Sequence, residues 1–214
     1  TFIDSLFYVS GANGGNPLIY IFDIEGEFID SFAQPGSHRL GMKDLAYSFT
    51  DSTQFIWGVV GDTTYGITLD GEVMHSFEAP GRTPSVITWD PDREILWIGG
   101  TTENIIGMDL DGNPVDDMEI NRDGLRIYGL AYFIDDPDDA PLYILHREFE
   151  TNRQTIHKHS FETGEKTFVA YIDIEDGRPQ GAFITNKYDV YSWVFMSVAN
   201  DAGNDRVDIW QIEG

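Results

Sequence analysis

Five times along the chain, a short apolar segment carries an aromatic residue at its third position. These segments are Leu6–Ser10, Phe55–Val59, Ile95–Gly99, Pro141–Leu145 and Tyr191–Phe195, and their aromatics are Tyr8, Trp57, Trp97, Tyr143 and Trp193. Ahead of each stands a second apolar segment: Thr1–Asp4, Leu45–Tyr47, Ile87–Trp89, Leu130–Tyr132 and Ala182–Ile184. Behind each comes a third, which ends in a turn at Glu25-Gly26, Asp70-Gly71, Asp111-Gly112, Thr163-Gly164 and Glu213-Gly214. Glycine there supplies the positive φ that a tight hairpin needs. More polar segments follow the first four turns, at Phe28–Phe32, Val73–Phe77, Pro114–Met118 and Lys166–Ala170, and read as outer strands. Apolar residues at helical spacing are not sustained over any window of about 11 residues, so the chain is predicted to be all-β.

The turn glycines recur at intervals of 45, 41, 52 and 50 residues. That is the length of a four-stranded unit in a radially repeated sheet protein. The aromatic-bearing strands are apolar at successive positions, so both of their faces must be covered, as when blades pack around an axis. The predicted fold is therefore a β-propeller of about five four-stranded blades. It forms one domain over residues 1–214, with blades near 1–36, 37–81, 82–123, 124–176 and 177–214. One aromatic per blade at a buried strand position is core packing rather than a ligand-stacking ladder. The fifth repeat reaches only its third strand. Blade five is therefore expected to be three-stranded, or to be completed by chain beyond Gly214, with a six-bladed ring as the alternative count.

Segments Phe22–Gly36, Leu69–Gly81 and Trp97–Gly112 resemble NHL or YVTN-type propeller repeats. Such repeats are common in large secreted bacterial proteins, so the resemblance implies an extracellular or cell-surface location. It identifies architecture better than activity, because function belongs to sites rather than folds.

Charge narrows the partners. Thirty-seven acidic against 13 basic residues give a net charge of -24, which repels nucleic acid and anionic lipid surfaces. No nucleic acid partner and no membrane insertion are expected. There is no cysteine, hence no disulfide and no thiolate chemistry. Gly-x-Ser-x-Gly and phosphate-binding glycine loops are missing, so no catalytic residue is predicted. The segment Arg178-Pro179-Gln180-Gly181 resembles an Arg-Pro-Asn-Gly-like segment of six-bladed lactonases, which hold calcium in the central channel. Here Gln180 stands where the metal-binding asparagine would be, which weakens that reading.

Three clusters remain as candidate chemistry. No cofactor is expected, with calcium as the alternative; its weak candidate ligands are Asp135, Asp136, Asp138 and Asp139, beside a second acidic loop at Asp90–Glu94. A solvated charge cluster is the competing reading of both. His157 and His159 share a strand face, with His146 on the neighbouring strand, but spacing supplies no third zinc ligand. Finally, Arg39, Arg82, Arg126 and Arg178, four of nine arginines, fall shortly before innermost strands and recur with the blades. They would ring one mouth of the channel and bind a carboxylate or sulfate, unless each pairs with Asp44, Asp123 or Asp176. The expected function is a non-catalytic extracellular module for binding, adhesion or assembly, with a protein or glycan ligand at the channel mouth. A cation-dependent hydrolase and a purely structural subunit are the alternatives.

Overall fold

The structure is a computed structural model of the chain and describes all residues except 14, 51, 173–177, 202–203 and 213–214. No helix occurs among the described residues. Blade one comprises β1 (Phe2–Ile3), β2 (Leu6–Asn13), β3 (Asn16–Phe22) and β4 (Phe28–Ala33). Blade two is β5 (Ala46–Thr50), β6 (Thr53–Val60), β7 (Thr63–Ile67) and β8 (Val73–Glu78). Blade three is β9 (Pro84–Asp90), β10 (Ile95–Gly100), β11 (Ile105–Met108) and β12 (Pro114–Ile120). Blade four is β13 (Arg126–Tyr132), β14 (Leu142–Arg147), β15 (Gln154–His159) and β16 (Lys166–Ile172). Blade five comprises, among the described residues, β17 (Arg178–Asp189), β18 (Ser192–Asp201) and β19 (Asn204–Ile212). Every blade is an antiparallel meander in chain order, and together they form a five-bladed β-propeller.

The turn residues behave as their chemistry requires. Gly26, Gly71, Gly112 and Gly164 all take positive φ between the third and fourth strands. The fifth such turn, at Glu213-Gly214, lies outside the described residues.

Packing between blades makes the core. Blades one and two share eight buried apolar residues, blades two and three share ten, three and four share nine, and four and five share ten. The aromatics of β6, β10 and β14 sit in these layers, and the polar atom of each finds a partner near the end of the innermost strand. Trp57 Nε1 donates to Ser48 Oγ at 2.8 Å, Trp97 Nε1 to Asp90 Oδ2 at 3.0 Å, and Tyr143 Oη to Asp136 Oδ2 at 2.7 Å.

Blade five departs from the predicted register. Trp57, Trp97 and Tyr143 pair across the ladder with Ala46, Thr88 and Ala131 and face the following blade. At the corresponding place Phe183 pairs with Met196, while Trp193 is half-buried and packs back onto Phe133 of blade four with rings 4.8 Å apart. The cause is the length of the β17–β18 hairpin, whose innermost strand runs to 12 residues and shifts the aromatic toward the turn. Methionine therefore stands where the other blades place an aromatic. Among the described residues, Phe2, Phe7, Val194 and Met196 form the buried cluster between blades five and one.

Replacing Trp97 by Phe should destabilise the fold by about 2 kcal/mol, through lost volume and a lost hydrogen bond to the buried Asp90. Urea denaturation checks this, with an unchanged m-value showing that the blades still unfold together.

Candidate functional site

Innermost strands are edge strands. β5, β9, β13 and β17 pair with a neighbour on one side only, so their other edges present free N–H groups to the central axis. Burying those groups without acceptors would be costly. One side chain takes them. Asp44, just before β5 and 3% exposed, accepts Ile87 N at 3.1 Å and Leu130 N at 3.0 Å on Oδ2, and Ala182 N at 3.1 Å and Leu45 N at 3.2 Å on Oδ1. Four blades thus converge on a single carboxylate.

The close approach depends on glycine. A Cβ on Gly129 would meet Ala182 N at 2.6 Å, and one on Gly181 would meet Asp44 Oδ1 at 2.9 Å. Gly181 of the Arg178–Gly181 segment therefore serves the hub, while Gln180 is exposed beside it. Burial pushes the Asp44 carboxyl up to about 7, against the pull of the bonds from Ile87, Leu130 and Ala182.

The hub gives the channel mouth a common register. Two residues before each of the four N–H donors stand Lys43, Ser85, Tyr128 and Gln180. Four residues before them stand Gly41, Thr83, Arg126 and Arg178. Arg126 and Arg178 accordingly occupy equivalent positions in adjacent blades, each opening its innermost strand. Arg82 lies one residue before that position and Arg39 two. All four are on the face where innermost strands begin.

Two of the three proposed aspartate partners are occupied otherwise. Asp44 takes only backbone N–H groups, Asp123 takes Lys166 at 2.5 Å, and Asp176 lies outside the described residues. Arg126 Nη2 donates to Tyr128 Oη at 3.2 Å, and Glu103 Oε1 accepts the backbone N–H of Arg82 at 2.9 Å. Among the described residues none of Arg39, Lys43, Arg82, Arg126 or Arg178 forms an ion pair.

Cations at the other end are consumed. Arg93 Nη1 is 2.9 Å from Asp90 Oδ2. The calcium candidates resolve differently: Asp136 is buried, accepts Asp138 N and Ala140 N, and lies 3.1 Å from Lys158 Nζ, which also meets Asp138 Oδ2 at 2.5 Å. A lysine ammonium occupies the centre of that loop, and Asp135 and Asp139 point to solvent. No group of three or more His, Asp or Glu able to hold a metal ion occurs among the described residues.

Of the histidines, His146 Nε2 and His157 Nδ1 are 2.7 Å apart, while His159 packs edge-on against Phe161 instead. Burial pushes His146 down to about 4, with His157 adding to it, and burial does the same for His159. Both imidazoles are therefore neutral at pH 7.

No protein-family model matches the chain, and no curated protein is similar in sequence. Solved structures share its fold. A tail fiber of Staphylococcus aureus phage P68 matches at 14% identity with a TM-score of 0.66, over 98% of this chain and 48% of that one. A chain of the mitotic checkpoint complex matches at 13% and 0.56, over 98% of this chain and 74% of that one. A chain of Kuenenia stuttgartiensis hydrazine synthase matches at 12% and 0.53, over all of this chain and 65% of that one. The chain spans about half the tail-fiber chain, and these likenesses establish a β-propeller and nothing narrower.

Replacing Asp44 by Ala leaves buried N–H groups from four blades without an acceptor and should cost about 3 kcal/mol or more. The carboxyl also gives a pH signature. Its value lies higher in the folded than in the unfolded chain, so its contribution to stability is greatest at acid pH and is lost as pH rises through about 7. The fall in unfolding free energy between pH 5 and 8 should accordingly be steeper in the natural protein than in Asp44→Asn, measured by urea denaturation at each pH.

Proposed function

We propose that the chain is a non-catalytic binding module of a secreted or surface-attached bacterial protein, and that it recognises an acidic glycan or peptide carboxylate on the face where the innermost strands begin. The observation that carries this reading is the distribution of charge. A protein of net charge -24 has abundant aspartate with which to neutralise 13 cations, and on the opposite face it does so through Asp90, Asp136 and Asp138. On this face Arg39, Lys43, Arg82, Arg126 and Arg178 form no ion pair among the described residues. Guanidinium groups at equivalent positions of neighbouring blades suit a planar anion, which each can grip with two parallel N–H bonds.

The setting follows from two supports. The NHL or YVTN-like repeat pattern implies secretion, and a phage tail fiber stands among proteins of the same fold. An acidic exterior with a local basic mouth also discriminates among partners: polyanions such as nucleic acid are repelled at long range, while a short anionic group can reach the arginines.

Replacing Arg126 and Arg178 together by Gln should weaken binding of an oligogalacturonide or a sulfated oligosaccharide by about tenfold or more, since each bidentate contact is charge-assisted. Isothermal titration at low and high salt measures it. The melting temperature should change little, because neither side chain has an ion pair to lose. Undiminished binding by the double variant would remove the arginines from the site.

A further inference from the structure

The register of blade four sets two arginines side by side at the mouth. Arg126, which opens β13, pairs directly across the antiparallel ladder with Arg147, which closes β14. Side chains opposed in this way leave the same face of the sheet about 5 Å apart, and like charges so placed repel. In a chain with 37 acidic residues, one carboxylate between them would remove that repulsion. Yet neither arginine forms an ion pair among the described residues. Glu148, next to Arg147 in the chain, is engaged elsewhere: it accepts the Thr151 hydroxyl on Oε2 and the Thr155 hydroxyl, at 3.4 Å, on Oε1.

Beyond Arg147 the hairpin between β14 and β15 is tied down by its own hydrogen bonds. Glu148 N donates to Arg153 O at 2.9 Å, Arg147 Nε to Asn152 O at 2.9 Å, and Arg153 N to Thr151 Oγ1 at 3.2 Å. Asn152 takes the left-handed conformation, with φ 58°, that closes the turn. On this frame Phe149 stands 82% exposed, so its ring contributes no packing to the fold. Because β14 ends at the level where β13 begins, the hairpin lies on the same face as the arginines of the mouth. Strand spacing and rise put Phe149 within about 10 Å of Arg126.

We propose that Arg126, Arg147 and Phe149 form one subsite for an acidic oligosaccharide: a sugar carboxylate lies between the two guanidinium groups, and the C–H face of the following sugar ring lies against Phe149. This rests on the reading that the mouth takes anions, and narrows it to a glycan. Two guanidinium forks on one carboxylate satisfy its oxygens and cancel their own repulsion. A ring so exposed has little wall around it to enclose an apolar peptide side chain. It does offer a flat, electron-rich face, which the polarised C–H groups on one side of a pyranose can meet. A peptide carboxylate would use the arginines and leave Phe149 uncovered.

Two probes of different length separate the parts: trigalacturonic acid, followed by isothermal titration, and the monosaccharide galacturonic acid, followed by NMR titration, each with the intact protein. Arg147→Gln should weaken both by about tenfold, since both use the charge-assisted forks. Phe149→Ser should weaken the trisaccharide by about fivefold through lost stacking, and should leave the monosaccharide and the melting temperature unchanged. The neutral galactose trisaccharide should not bind. Trisaccharide binding that survives Arg147→Gln and Phe149→Ser, but is lost in the Arg126→Gln, Arg178→Gln double variant, would overturn this subsite and leave the anion-binding mouth standing. Equal weakening of both probes by Phe149→Ser would also overturn it, since the ring would then act on the hairpin rather than on a second sugar. No binding of either acid by the natural protein would overturn the subsite and the mouth together.

Discussion

The ring is closed at its centre by one carboxylate. A propeller places the edge strand of every blade against its axis, and each such edge carries N–H groups that water cannot reach. Asp44 resolves this for blades two to five at once, accepting N–H bonds at 3.0 to 3.2 Å from Leu45, Ile87, Leu130 and Ala182. Each of the two oxygens accepts two of these donors. The arrangement fixes the blades in axial register as well as in distance, which is why Arg126 and Arg178 come to equivalent heights. Stability and site geometry thus have a common origin.

Charge is disposed around that centre unevenly. Near the hairpins joining first and second strands, aspartates serve as acceptors for buried aromatics and absorb the nearby cations: Asp90 binds Trp97 and Arg93, and Asp136 binds Tyr143 and Lys158. Such groups are satisfied and structural. At the opposite mouth, Asp44 is buried in the hub and Asp123 is engaged with Lys166. A guanidinium group without an ion pair among the described residues costs little there because water solvates it.

The repeat was legible because packing repeats: each blade must bury an apolar second strand and turn through glycine, and both leave a periodic mark. Five blades, four of them with four strands and the last with three, match the reading from spacing. Asp44 left no such mark, since one aspartate among 24 carries no pattern and its partners are backbone groups that sequence does not distinguish. Trp193 misled for a related reason. An aromatic at the third position signals the core only when the hairpin has its usual length, and the long β17–β18 pair displaces it toward blade four. The arginines were visible by spacing, but whether Asp44 or Asp123 pairs with them depended on where those two aspartates finally bind. As for the acidic loop at Asp135–Asp139, composition left a charge cluster and a weak calcium site as alternatives, while the lysine that meets Asp136 and Asp138 lies about 20 residues further along the chain, on a strand brought there by the meander.

Amide hydrogen exchange at Leu45, Ile87, Leu130 and Ala182, read residue by residue by NMR, tests the central claim most directly. If Asp44 ties four blades together, these amides open only when the ring does, and all four exchange with one free energy equal to that of global unfolding. Exchange of any of them at a separate and much faster rate would mean that the carboxylate does not hold that blade, and would contradict the account.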